Sequence, residues 1–136
     1  MIPVNIPDGG YAMTFLSPAG GGPGVALVNI RPLTIDEQAR IAIANVRAAI
    51  AAYKAANDDA NPGLAGTDSG FKSDLQPYIN PFPAAPVGNT NNDVRMIAPG
   101  QPSVSGTEGW SYGNLSGAII YNTTATDSQG NSYDTY

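Results

Sequence analysis

From Thr34 to about Asn57 the apolar residues recur with helical spacing, and one long helix there constrains everything else the chain can build. At about 100° per residue, Ile35, Ala39, Ala42, Ile43, Val46, Ala49, Ile50 and Tyr53 fall on one stripe. Of these, Ile35, Val46, Ile50 and Tyr53 are expected in the core. Thr34 and Glu37 have the spacing of a capping box, in which the threonine hydroxyl accepts from an N3 amide and the glutamate reaches back. Asp58, Asp59 and Asn61-Pro62-Gly63 then stop the helix. Asp36, Arg40, Arg47 and Lys54 make a narrow polar strip beside the core stripe. The remaining face carries Ile41, Ala44, Ala48, Ala51, Ala52 and Ala55, small and apolar where a lone domain normally presents charge to water. Such a face suits close packing on another helix or subunit. The helix preference of alanine alone accounts for the same residues without a partner.

The rest of the chain is heavily punctuated, with 16 glycines and 12 prolines among 136 residues. Residues 1–33 read as an extended, Gly/Pro-rich N-terminal arm with two strand-length apolar pieces, Tyr11–Leu16 and Val25–Ile30. Either they are edge strands of their own domain, or Tyr11, Phe15, Val25 and Leu27 pair with a neighbouring subunit by strand addition. Residues 58–93 read as an irregular connection, with a short turn or helix near Asp74–Ile79 and prolines holding Tyr78–Val87 extended. A sheet is expected over about 94–136. Its strands are Val94–Ala98, the segment around Trp110, Gly117–Asn122 and a last one within Asp127–Tyr136, with Trp110 and Ile119 in the core. The predicted class is α+β: one alanine-rich helix packed on a small antiparallel sheet in a head of residues 34–136.

Composition removes several functions. With no cysteine and no histidine, neither a disulfide framework nor a zinc or histidine-based catalytic site of the common kinds is available. Net charge is −5 with no Lys/Arg cluster, which argues against nucleic acid as a partner. No run of about 18 apolar residues exists, so no direct membrane span is expected. Only 12% of residues are charged, as in extracellular or assembled proteins.

Candidate chemistry is sparse. Asp127, Gln129, Asn131 and Asp134 place oxygen side chains around Gly130 and are candidate calcium ligands, although a hairpin turn explains the same pattern. Asp58 and Asp59, with Asp68 and Asp74 nearby in sequence, are the carboxylates available for acid–base work, but nothing marks an accompanying cleft, and no enzymatic activity is expected. Trp110, Tyr112, Tyr121, Tyr133 and Tyr136 are either core or a sugar-stacking face. Asn114-Leu115-Ser116 and Asn122-Thr123-Thr124 match the N-glycosylation acceptor pattern.

Three stretches together resemble the globular head of type IV pilins and type II secretion pseudopilins. The helix from Asn45-Val46-Arg47 to Tyr53-Lys54 resembles the soluble half of the pilin spine. Asp74-Leu75, Pro77-Tyr78-Ile79 and Pro81-Phe82-Pro83 resemble the stretch after that helix. Gly109-Trp110-Ser111-Tyr112 with Gly117–Asn122, and the ending Asp127–Tyr133, resemble the consecutive strands and terminal turn of the family's sheet. The resemblance implies a structural, self-assembling subunit of an extracellular filament or secretion-type assembly, found at the cell surface and partnered by copies of itself or by other structural subunits. It also implies calcium at the C-terminal turn, as in major pseudopilins, and otherwise no cofactor. The family's hydrophobic N-terminal segment has no counterpart in residues 1–33, so a head re-used in a different assembly, such as a virion coat or tail decoration protein, is the alternative expectation. A carbohydrate- or surface-binding adhesion module is a further one.

Overall fold

The computed structural model describes the backbone of residues 11–16 and 27–136, with side chains from Arg31 onward. The chain divides into two compact units, Met1–Thr34 and Ile35–Tyr136. In the first, strands β1 (Tyr11–Leu16) and β2 (Leu27–Pro32) pair antiparallel, with Tyr11 opposite Pro32 and Leu16 opposite Leu27. The side chains of Tyr11, Phe15 and Leu27, and Val25 altogether, lie outside what is described.

The second unit is α+β. Helix α1 (Ile35–Ala56) begins directly after Thr34, with Asp36 and Glu37 in its first turn and Lys54 in its last, charges that suit the helix dipole. Just beyond its end at Ala56 the chain turns away through Asp58 and Asp59, both left-handed (φ 53° and 65°), a conformation aspartate tolerates better than most residues. A second helix, α2 (Asp68–Leu75), stands within the segment expected to be irregular. Thr67 caps it, its hydroxyl accepting from the Gly70 amide at 3.1 Å. Eight residues with Gly70 inside carry too little period to be read from sequence.

Strands β3 (Val94–Ile97), β4 (Trp110–Gly113) and β5 (Ala118–Tyr121) form one sheet in that order. The expected antiparallel sheet is corrected here: β3 runs parallel to β4, and only β4 and β5 are antiparallel. A parallel neighbour needs a crossover connection. Residues 98–109 supply it as a strap, tied to Ser111 and Asn122 by side-chain hydrogen bonds. The last expected strand is also corrected. Residues 127–131 form a turn, a lone bridge joins Thr126 and Ser132, and Tyr133–Thr135 is a 3-10 helix.

The core lies where α1, α2 and the loop carrying Phe82 meet one face of the sheet. Ala39, Ile43, Val46, Ala49 and Ile50 of α1 pack with Phe71, Leu75, Phe82, Trp110, Tyr112, Ile119 and Tyr121. Fully burying each large apolar side chain contributes roughly 1.5–3 kcal/mol. Phe82 meets Trp110 edge-on at 5.7 Å, Trp110 lies 4.7 Å from Tyr121, and Phe71 lies 4.2 Å from Tyr112, measured between ring centroids. The polar end of each of three rings pins an adjoining segment: Trp110 Nε1 donates to Pro83 O, Tyr112 OH to Pro62 O and Tyr121 OH to Ala39 O. Val46, Ile50, Trp110 and Ile119 are core residues, and Tyr53 packs partly buried against them. Ile35 is not: at the first position of α1 it is 51% exposed, because the core stripe starts a turn later at Ala39.

Candidate assembly surface

The solvent face of α1 is made of Ile41, Ala44, Ala48, Ala51 and Ala55, all exposed. Their alternating steps of three and four residues are those of the a and d positions of a heptad seam. The sequence shows this spacing, but grouping the residues only as a small apolar face passes over it. Alanine at such positions permits helix axes to approach at the short end of the usual 8–10 Å range.

The basic strip beside the face is held against the chain's own C-terminal part. The Arg40 guanidinium lies 4.3 Å from the centroid of the Tyr136 ring. Arg47 donates to Ile119 O at 3.1 Å and to Tyr136 O at 2.6 Å. Lys54 sits 3.7 Å from the exposed Asp59 carboxylate. On the other flank Asn45, Ala48, Ala49 and Ala52 border a shallow groove closed by Tyr78 and Ile79. The apolar face is therefore flanked on one side by cations engaged with the chain's own groups and on the other by a groove, with no charged side chain on the seam between Ile41 and Ala55; Glu37 stands one turn before it.

The edges of the sheet carry their own plugs. Asp68 Oδ2 accepts from the Val94 amide of β3 at 3.2 Å, and Arg47 occupies Ile119 O of β5. Side chains that take up an edge strand's backbone groups discourage pairing with another chain there.

The remaining sequence-singled residues have local duties. At the C-terminal turn, Asp127 Oδ1 accepts from the Gln129 and Asn131 amides at 2.9 and 2.8 Å, and Oδ2 accepts from Tyr136 OH at 2.8 Å. Burial pushes the Asp127 carboxyl up, but the donors from Tyr136, Asn131 and Gln129 outweigh it and hold it below its ordinary range. Gln129 thus meets Asp127 through its backbone, and Asp134 belongs to the 3-10 helix. Among the described residues no cluster of three or more acidic side chains is positioned for a metal ion. Asp74 accepts from the Gly63 amide, Asp68 pairs with Lys72 at 2.9 Å, and Asp58 and Asp59 stand exposed beyond α1. Asp74 thus holds a turn, while Asp68 and Asp59 each pair with a lysine.

The aromatic residues weighed as a sugar platform are mostly interior. Trp110, Tyr112, Tyr121 and Tyr133 are buried and Tyr136 is half-buried. Burial pushes the Tyr112 and Tyr121 hydroxyls well above the ordinary tyrosine range. Both glycosylation acceptors are buried too. Asn114 Nδ2 donates to Gly63 O, and Asn122 Nδ2 donates to Ser105 O and Glu108 O. An acceptor asparagine needs a surface position, which the folded domain denies to both.

No protein family model, no curated protein and no solved structure matches this chain. No helix among the described residues is long and apolar enough to cross a membrane.

Proposed function

We propose that the chain is a structural subunit that assembles with copies of itself through the solvent face of α1, in an extracellular filament or secretion-type assembly of pilin- or pseudopilin-like plan. The observation that carries this is the exposed seam Ile41–Ala44–Ala48–Ala51–Ala55, uncharged along its length and spaced for helix packing. Two further features support it. The Asp68, Asp74 and Asp127 carboxylates are occupied in local hydrogen bonds and an ion pair, which favours a structural over a catalytic role for them. The plugged sheet edges direct contacts to the helix. The arm strands β1 and β2 are assigned to subunit contacts on the sequence alone. Calcium at the 127–134 turn is no part of the reading, since a cation there displaces the donors that Asp127 already holds. A virion coat or decoration subunit uses the same face, and the two differ in what surrounds it.

The test is negative-stain electron microscopy and sedimentation of the concentrated protein beside Ala48→Glu. Glutamate is a good helix former, and Ala48 is exposed, so the variant stays folded. Ordered assemblies in the parent that vanish in Ala48→Glu are the expected result. A parent that stays monomeric at every concentration, or assemblies indifferent to Ala48→Glu, overturns the proposal.

A further inference from the structure

Residues 126–136 sit on the rest of the domain in an unusual way. Their backbone hydrogen bonds close on themselves or on Ala125: Asp127 N donates to Asn131 O, Gly130 N to Asp127 O and Tyr133 N to Ala125 O. The hydrogen bonds that join residues 127–136 to α1 are made by side chains of α1. Asp36 Oδ2 accepts both the amide and the hydroxyl of Ser128, at 3.2 and 2.6 Å, and Asp36 Oδ1 accepts Tyr133 OH at 2.6 Å. Arg40 lies over the Tyr136 ring, and Arg47 donates to Tyr136 O.

The segment adds Tyr133 to the edge of the main core, with Tyr136 packed against it. The core's aromatic chain from Phe71 through Phe82 and Trp110 to Tyr121 is closed without the segment, and Tyr121 OH on Ala39 O fastens α1 to the sheet independently. The segment's own buried side chains are Tyr133 and Asp127.

Its position is at an edge. β5 is a terminal strand of the sheet, and the 3-10 helix packs against it. Asn122 N donates to Gly109 O, so in the antiparallel alternation Ile119 and Tyr121 turn their backbone groups away from β4, toward that outer side.

We infer that residues 126–136 are a detachable latch: clamped to α1 by Asp36, they cover the β5 edge and swing away as a unit while helix and sheet stay folded. In the latched state the edge is masked. In the open state the backbone groups of Tyr121 lose their cover while Arg47 still holds Ile119 O, which leaves part of the strand edge open to strand addition. The physical basis is the contrast between a segment tied by side-chain bonds and the single buried ring of Tyr133, and a core closed by many packed side chains, the condition for sub-global opening.

Residue-resolved amide exchange by NMR at neutral pH tests this on the full chain, with Asp36→Asn and Tyr133→Phe as variants. Tyr133→Phe keeps the ring and removes only the hydroxyl donor, so it remains informative if Asp36→Asn folds poorly. The expected result is at least a tenfold loss of protection at Ser128 and Tyr133, whose amides donate to Asp36 Oδ2 and Ala125 O outside the segment, with Ile120 and Asn122 within about twofold of the parent. Two results overturn the inference: unchanged protection in the segment, or an equal loss at Ile120 and Asn122, which makes the segment part of one cooperative unit.

Discussion

Asn122 performs with one side chain the task of a strand residue. Its Oδ1 accepts from Ser105 N at 2.9 Å while Nδ2 donates to Ser105 O at 2.7 Å and to Glu108 O at 2.8 Å, which fastens the strap across the sheet. Asn122→Ala leaves the Ser105 backbone groups without those partners, and the expected cost is about 1–3 kcal/mol, read as a lower denaturant midpoint at unchanged slope. Charge at single residues fixes the pH response. Ser128 and Tyr133 hold the Asp36 carboxyl below its usual range, and Asp127 is likewise low. A carboxylate with a depressed folded pKa stabilises above its unfolded value of about 3.9, and loses that contribution as pH falls through the folded value. Tyr133 behaves oppositely. Its hydrogen bond to Asp36, with burial, pushes the hydroxyl up to about 12, so its contribution persists to about pH 10 and fades as pH rises toward the folded value. Denaturant midpoints are therefore expected to drop at both extremes. Asp36→Asn should flatten the acid limb and weaken the alkaline one; a variant with the parent's profile on both sides removes Asp36 from the account.

At the scale of elements, the parallel placement of β3 rests on how closely the strap can lie. A Cβ on Gly113 meets Gly100 O at 2.2 Å, so only glycine lets the strap pass over β4. Gly113→Ala is expected to cost about 1–3 kcal/mol through forced backbone shifts, while Ala118→Gly, at the exposed register partner, leaves that approach intact; thermal melts compare the two. The same contact shows where sequence stops being legible. Helix α1 is readable because its period runs for six turns without glycine or proline, and its buried stripe from Ala39 to Ile50 follows that period. The parallel sheet is not readable. Short strands carry the same alternation in either direction, and direction is set by a glycine contact and by Ser111 and Asn122 reaching a distant loop. Tyr133 and Tyr136 look like alternating strand residues but serve a turn, because Asp127 draws its own amides into a loop and Asp36 holds Tyr133 from 97 residues away. The exposed face of α1 is legible as composition. Its heptad spacing is in the sequence too, but its exposure needs the core to be known.

For the whole molecule, net charge and the character of the proposed contact oppose one another. The chain carries −5, so copies approaching each other repel over roughly a Debye length, about 10 Å at 0.1 M salt. The seam on α1 holds no charge, and the cations beside it are engaged with Tyr136, Ile119 and Asp59. Salt then screens the repulsion without weakening the apolar contact. Self-association through α1 should strengthen between about 20 mM and about 500 mM NaCl, and Ala48→Glu should abolish that strengthening by placing a carboxylate on the seam. A contact made instead by ion pairing, for example of Arg40 and Lys54 with acids on a neighbour, weakens over the same range. Sedimentation velocity across a salt series separates the two by sign. Association that falls with salt moves the interface from the alanine seam to the basic strip, and with it the orientation in which neighbouring subunits meet.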